Sequence, residues 1–286
     1  MQFGMNLLLW TDTLTDNMMP VIEELKQIGY DTIEIPCFDL DNLEVYARWG
    51  KRFDELGLSR TGTAVRGPAD NPASPDPAVR RKGVEANKRN LDCCAAAGCQ
   101  VMAGPFHSAL GHFSGKGPTP DEWNWAVESM REVAEHAQKV GVKLGIEYLN
   151  RFECYLLNTA ADGARFCRDV GHPFCKMMYD TFHAHIEEKN IPAAIRALKD
   201  QLVHVHISEN DRSTPGLGNV RWQENFDTLH EIGYNGTMVV EAFGLALDKL
   251  VPATKIWRSM YQTERQLAAD ALRFMKTEVA KRWRQP

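Results

Sequence analysis

Two periods alternate along the chain. Short apolar runs rich in strand formers are followed by longer segments whose apolar positions recur at helical spacing. The runs 1–10 (MQFGMNLLLW), 31–37 (DTIEIPC), 58–67 (LSRTGTAVRG) and 99–106 (CQVMAGPF) predict four strands. Four more come from 142–149 (VKLGIEYL), 174–182 (FCKMMYDTF), 202–208 (LVHVHIS) and 236–243 (GTMVVEAF). Segments 19–30, 41–57, 77–98, 120–141, 159–171, 192–201 and 222–234 predict helices, and the remainder predicts a long amphipathic C-terminal helix. Proline near the start of 120–141 and a glycine stop at Gly29 punctuate the pattern. Eight strand–helix pairs with right-handed crossovers predict an α/β fold, a (β/α)8 TIM barrel spanning 1–286 as one domain. A doubly wound open sheet is the alternative. It is disfavoured because no G-x-G-x-x-G follows the first strand and no G-x-x-x-x-G-K-S/T occurs.

A TIM barrel carries its chemistry at the C-terminal ends of its strands. There the fifth strand presents Glu147, the sixth Asp180, the seventh His206 and the eighth Glu241. One such residue alone is ordinarily a solvated loop side chain. Four on successive strands are positioned to share one ion. Three carboxylates and one imidazole form an oxygen-rich set, suited to Mn2+, Mg2+ or Co2+ rather than to structural zinc. His204 shares the strand face of His206 one layer deeper and reads as a buried core residue. His183 lies closer to the rim and reads as a substrate residue, whereas His185 reads as a loop residue or one supporting the site from behind. His107 and His112 follow the fourth strand, as pocket lining or solvated residues. Trp10 and Phe106 read as pocket wall.

Composition narrows the class. The chain is 44% hydrophobic and 25% charged with a net charge of −5, which argues against nucleic-acid binding. No apolar run is long enough to span a membrane, and the first residues do not read as a signal peptide. Seven cysteines without a C-x-x-C pair predict reduced thiols and a cytoplasmic enzyme.

The runs IEYLNRFE, DTFHAHIEE, HVHISENDR with TPGLGNVRW, and VVEAF resemble the ketose 3-epimerases of the D-tagatose/D-psicose (D-allulose) type, within the sugar isomerase/epimerase barrels. The N-terminal half resembles them only in barrel rhythm and in Trp10. The resemblance implies one divalent metal, Mn2+ first, with Co2+ or Mg2+ as substitutes, held by Glu147, Asp180, His206 and Glu241. It implies Glu153, His183 and Arg212 as the residues holding the O1/O2 end of a small-molecule ketose. It also implies a homodimer or homotetramer. The activity implied is epimerisation at carbon 3, with Glu147 and Glu241 exchanging a proton on opposite faces through an enediolate. An aldose–ketose isomerase of the hydroxypyruvate isomerase kind or an inosose-type dehydratase would use the same metal set. A nuclease like endonuclease IV would need more ligands and a basic surface. A sugar-binding barrel without catalysis is the alternative from a different class.

Overall fold

The eight apolar runs become eight parallel strands that close on themselves in chain order, β8 pairing with β1. They are β1 (Gln2–Asn6), β2 (Thr32–Pro36), β3 (Ser59–Thr63), β4 (Val101–Gly104), β5 (Lys143–Ile146), β6 (Cys175–Asp180), β7 (Leu202–Ile207) and β8 (Thr237–Val240). The structure is a computed structural model and describes residues 1–283. The crossover helices are α1 (Met19–Ile28), α2 (Leu43–Glu55), α3 (Pro77–Ala97), α4 (Pro120–Val140), α5 (Ala160–Val170), α6 (Thr181–Glu187), α7 (Ile191–Ala197) and α8 (Trp222–Glu231). Two more, α9 (Leu250–Thr254) and α10 (Glu264–Arg282), follow β8. The (β/α)8 barrel expected from the pattern is the observed fold. The last residues of the predicted C-terminal helix, 284–286, lie outside the described residues.

Burial explains the strand composition. In β2 every residue is buried, because the barrel interior covers one face and the helices cover the other. The outer core is built from residues such as Ile22, Ile33, Ile35, Trp49 and Phe53. All seven cysteines are buried and carry no disulfide. Among the described residues no helix is long and apolar enough to cross a membrane.

Three local departures from the expected pattern matter for the site. The first apolar run stops being a strand at Asn6, because the Asn6 Oδ1 accepts the Leu8 N–H at 2.7 Å and winds Leu7–Leu9 into a 3-10 turn. The sixth run stops at Asp180, where the carboxylate caps α6 by accepting the N–H groups of Phe182 and His183. The expected strand 174–182 therefore ends early, and His183 and His185 ride on a helix. The expected C-terminal helix is interrupted, giving α9 and α10 with an irregular stretch between.

Candidate active site

The rim of the barrel brings together the four residues read as metal ligands. Asp180 and His206 are register partners across β6 and β7. Glu147 and Glu241 each sit one residue past a strand end, with their N–H groups still in the ladder, donating to Gly104 O at 3.1 Å and Ile207 O at 3.3 Å. Gly104 makes the first of these possible. Its φ is 126°, and a Cβ there would lie 2.3 Å from the Ala64 carbonyl oxygen. One ligand-capable atom from each of Glu147, Asp180, His206 and Glu241 lies within 4.8 Å of the others. The His206 Nδ1 stands 3.5 Å from Asp180 Oδ2 and 3.4 Å from Glu241 Oε1.

The donor set fits a divalent ion. The four side chains are buried, three of them are acids, and His206 Nδ1 has no hydrogen-bond partner. A buried, unpartnered nitrogen facing carboxylates is costly unless something sits between them. Hard oxygen donors with one imidazole match Mn2+, Co2+ or Mg2+ chemistry.

The sequence-predicted substrate residues stand beside this cluster. Glu147, Glu153, His183, Arg212 and Glu241 line one cavity of about 110 Å³. Arg212 is buried. Its φ is 62°, and its Nη1 donates to Glu241 Oε2 at 2.6 Å, Ser208 Oγ at 2.9 Å and Asp180 Oδ2 at 3.2 Å. Its guanidinium stacks 3.7 Å above the Phe182 ring. His183 Nε2 lies 3.5 Å from Glu147 Oε1, and Glu153 Oε1 accepts from Asn150 Nδ2 at 2.8 Å. A larger opening of about 660 Å³ lies at the opposite end of the barrel, lined by Arg60, Lys143 and Lys199, and none of its lining residues is an acid or a histidine.

Several side chains fall elsewhere than expected. The cavity wall is made by Leu8, Phe38, Leu110, Phe243 and Leu250 rather than by Trp10 and Phe106. The turn after Asn6 carries Leu8 to the cavity and leaves Trp10 packed against the core, while Phe106 is wholly inside the core. His107 neither lines the cavity nor meets solvent. It is completely buried, with its ring edge-on to Phe166. His112 is exposed and His185 half-buried.

Charge is unevenly distributed over the cluster. Burial, and then the neighbouring Glu241, push the Glu147 carboxyl well above the usual range. Burial opposes the charge on Glu241 too, but His206 and Arg212 outweigh it and hold that pKa down to about 2. Burial likewise opposes ionisation of Asp180, which Arg212 and His206 nevertheless hold low. Burial and the adjacent Arg212 hold His183 down to about 3, so it is neutral. A divalent cation among these groups would favour the ionised form of every carboxylate it touched.

Glu34 is the residue that sequence reasoning missed. It is fully buried inside the barrel on β2. Its Oε1 accepts from Asn6 Nδ2 at 2.8 Å and meets His206 Nε2 at 2.7 Å. Its Oε2 accepts from Thr61 Oγ1 at 2.9 Å and lies 2.8 Å from His204 Nε2, a close contact without hydrogen-bond alignment. The available signal was an acid in the middle of DTIEIPC, a strand otherwise apolar enough to be buried on both faces.

Comparison with known proteins agrees with this architecture. Residues 22–278 match the xylose isomerase-like TIM barrel family. A D-psicose 3-epimerase of Ruminiclostridium cellulolyticum is 32% identical, covering 96% of this chain and 98% of that one. An L-ribulose 3-epimerase of Mesorhizobium japonicum is 31% identical, covering 96% and 93%. Among solved structures, an L-ribulose 3-epimerase superposes with a TM-score of 0.92 at 30% identity, over 99% of this chain and 95% of its own. The chain belongs to the xylose isomerase-like TIM barrel family and, within it, to the ketose 3-epimerases, enzymes of the isomerase class.

Proposed function

We propose that this protein epimerises a free ketose at carbon 3, with a divalent metal held by Glu147, Asp180, His206 and Glu241. The observation carrying the proposal is the convergence of those four ligand atoms within 4.8 Å, beside a cavity that also presents Glu153, His183 and Arg212. The relatives named as D-psicose and L-ribulose 3-epimerases support the choice of substrate class. The metal, when bound, supplies Lewis-acid polarisation of the ketone and so acidifies the neighbouring carbon. Glu147 and Glu241 act as the paired acid and base: one takes the proton from carbon 3 and the other returns one to the opposite face. The hand of the substrate decides which of them acts first. Glu153, His183 and Arg212 hold the O1/O2 end and fix carbon 3 between the two carboxylates. The reading takes Mn2+ as the ion, a single domain over 1–286, a cytoplasmic location and a homodimer or homotetramer, as the family resemblance and the reduced cysteines suggest.

The test is NMR in D2O of metal-loaded protein with D-fructose, D-tagatose and L-ribulose in separate tubes. Deuterium entering carbon 3 as the 3-epimer accumulates is the expected result. Deuterium at carbon 1 with an aldose forming would make the protein an aldose–ketose isomerase instead. No exchange with any of the three would remove support for the epimerase reading.

A further inference from the structure

We infer that Glu34 is a positioning residue: from the barrel interior it holds the proton of His206 on Nε2, so that Nδ1 is the atom offered to the metal. The inference rests on the proposed metal site and concerns a residue outside its ligands.

The geometry leaves one arrangement. His206 has two ring nitrogens, and Nε2 is 2.7 Å from a carboxylate oxygen while Nδ1 faces the carboxylate cluster with no hydrogen-bond partner. A carboxylate accepts only, so Nε2 must carry the hydrogen. Nδ1 is then the nitrogen left to ligate, facing Asp180 and Glu241. A carboxylate behind a ligating imidazole orients the ring and raises its basicity. Glu34 is itself immobilised by Asn6 and Thr61, the flanking residues on β1 and β3. Asn6 also shapes the turn after β1, so the same side chain builds the cavity wall and braces the carboxylate.

Glu34, His204 and His206 also form a cluster compact enough to suggest a second ion. The hydrogen bonds of Glu34 favour the bracing role instead. Glu34 Oε1 serves both Asn6 and His206, and Oε2 serves Thr61 while pressed against His204. His206 Nε2 has its proton committed to Glu34. In this reading the cluster braces the rim site from beneath.

Two measurements test this. The first is a long-range proton–nitrogen correlation spectrum of 15N-labelled, Mg2+-loaded protein, which reports which ring nitrogen of His206 carries hydrogen. A protonated Nε2 is expected, and a protonated Nδ1 overturns the inference. The second is Mn2+ affinity, by competition with a chelator, for the wild type, Glu34→Gln and Thr61→Val. Glu34→Gln should bind roughly 10- to 100-fold more weakly. Thr61→Val, which strips a partner from the oxygen away from His206, should stay within about threefold. Equal affinity in folded Glu34→Gln, or an equal loss in Thr61→Val, overturns the positioning role. If Glu34→Gln does not fold, the wild-type spectrum decides alone. A wild type that binds no divalent ion would instead defeat the metal site itself, an outcome separate from the other two.

Discussion

The backbone N–H of Asn150 donates to Nδ1 of His183 at 3.0 Å. His183 is neutral, so it has one accepting nitrogen, and a main-chain donor has claimed it. Nε2 therefore carries the hydrogen and faces Glu147 Oε1 as a donor. Arg212 Nη2, also donor-only, sits 3.0 Å from the same Nε2. The two donors oppose each other across 3.0 Å.

Asn150 links two of the proposed substrate residues, because its side-chain amide reaches both Glu153 Oε1 and His183 Nδ1. Asn150→Ala keeps the backbone bond and removes the bridge. Steady-state kinetics on the preferred ketose should show KM rising roughly tenfold, about 1.4 kcal/mol, with a smaller change in kcat. KM within twofold of the wild type would show that Glu153 is held without Asn150.

In the proposed mechanism Glu147 and Glu241 divide one task, so neither can replace the other. Glu147→Gln and Glu241→Gln should each lower kcat by at least roughly 100-fold, with circular dichroism unchanged. Metal content must be measured in parallel, since each residue is also a proposed ligand. A metal-replete variant of either kind with near-normal turnover would rule out the two-carboxylate mechanism.

Arg212 puts a buried positive charge against Asp180 and Glu241, two of the proposed ligands. In the proposed function it therefore competes with the cation while serving the ketose. Arg212→Ala should tighten Mn2+ binding roughly tenfold, by removing the repulsion between like charges a few ångströms apart. It should also raise KM for the ketose at least roughly tenfold. Chelator competition and kinetics read the two effects separately. Weaker metal binding in the variant would mean that the arginine supports the ion site.

The rim was legible in the sequence because strand ends can be read from periodicity. Glu147, Asp180, His206 and Glu241 each lie near the end of an apolar run, and a barrel gathers consecutive strand ends. The supporting layer was not legible. Glu34 binds residues from β1, β3 and β7, whose juxtaposition exists only once the barrel has closed. The α6 helix was hidden for a local reason. Asp-Thr-Phe continues the apolar run of β6, and only the capping bonds of Asp180 reveal that the chain has turned. The same carboxylate keeps Oδ2 for the site while Oδ1 caps the helix, so one residue carries both a fold signal and a chemical one.

His107 offers a pH test away from the proposed metal ligands. Burial holds its pKa down to about 3 from the ordinary 6.5, and its Nδ1 has no partner. The unfolded chain takes up this proton below about pH 6.5, whereas the folded chain does so only below about 3. More protons are bound by the unfolded state within that window, so stability falls as pH falls through it. At pH 5 the loss from this one group is about 2 kcal/mol. His183 adds a loss of the same sign. Urea unfolding of the wild type and His107→Leu at pH 7 and pH 5 isolates the contribution. The variant should lose about 2 kcal/mol less on acidification, whatever its stability at pH 7. Parallel losses in the two proteins would show that His107 takes up its proton in the folded core without penalty.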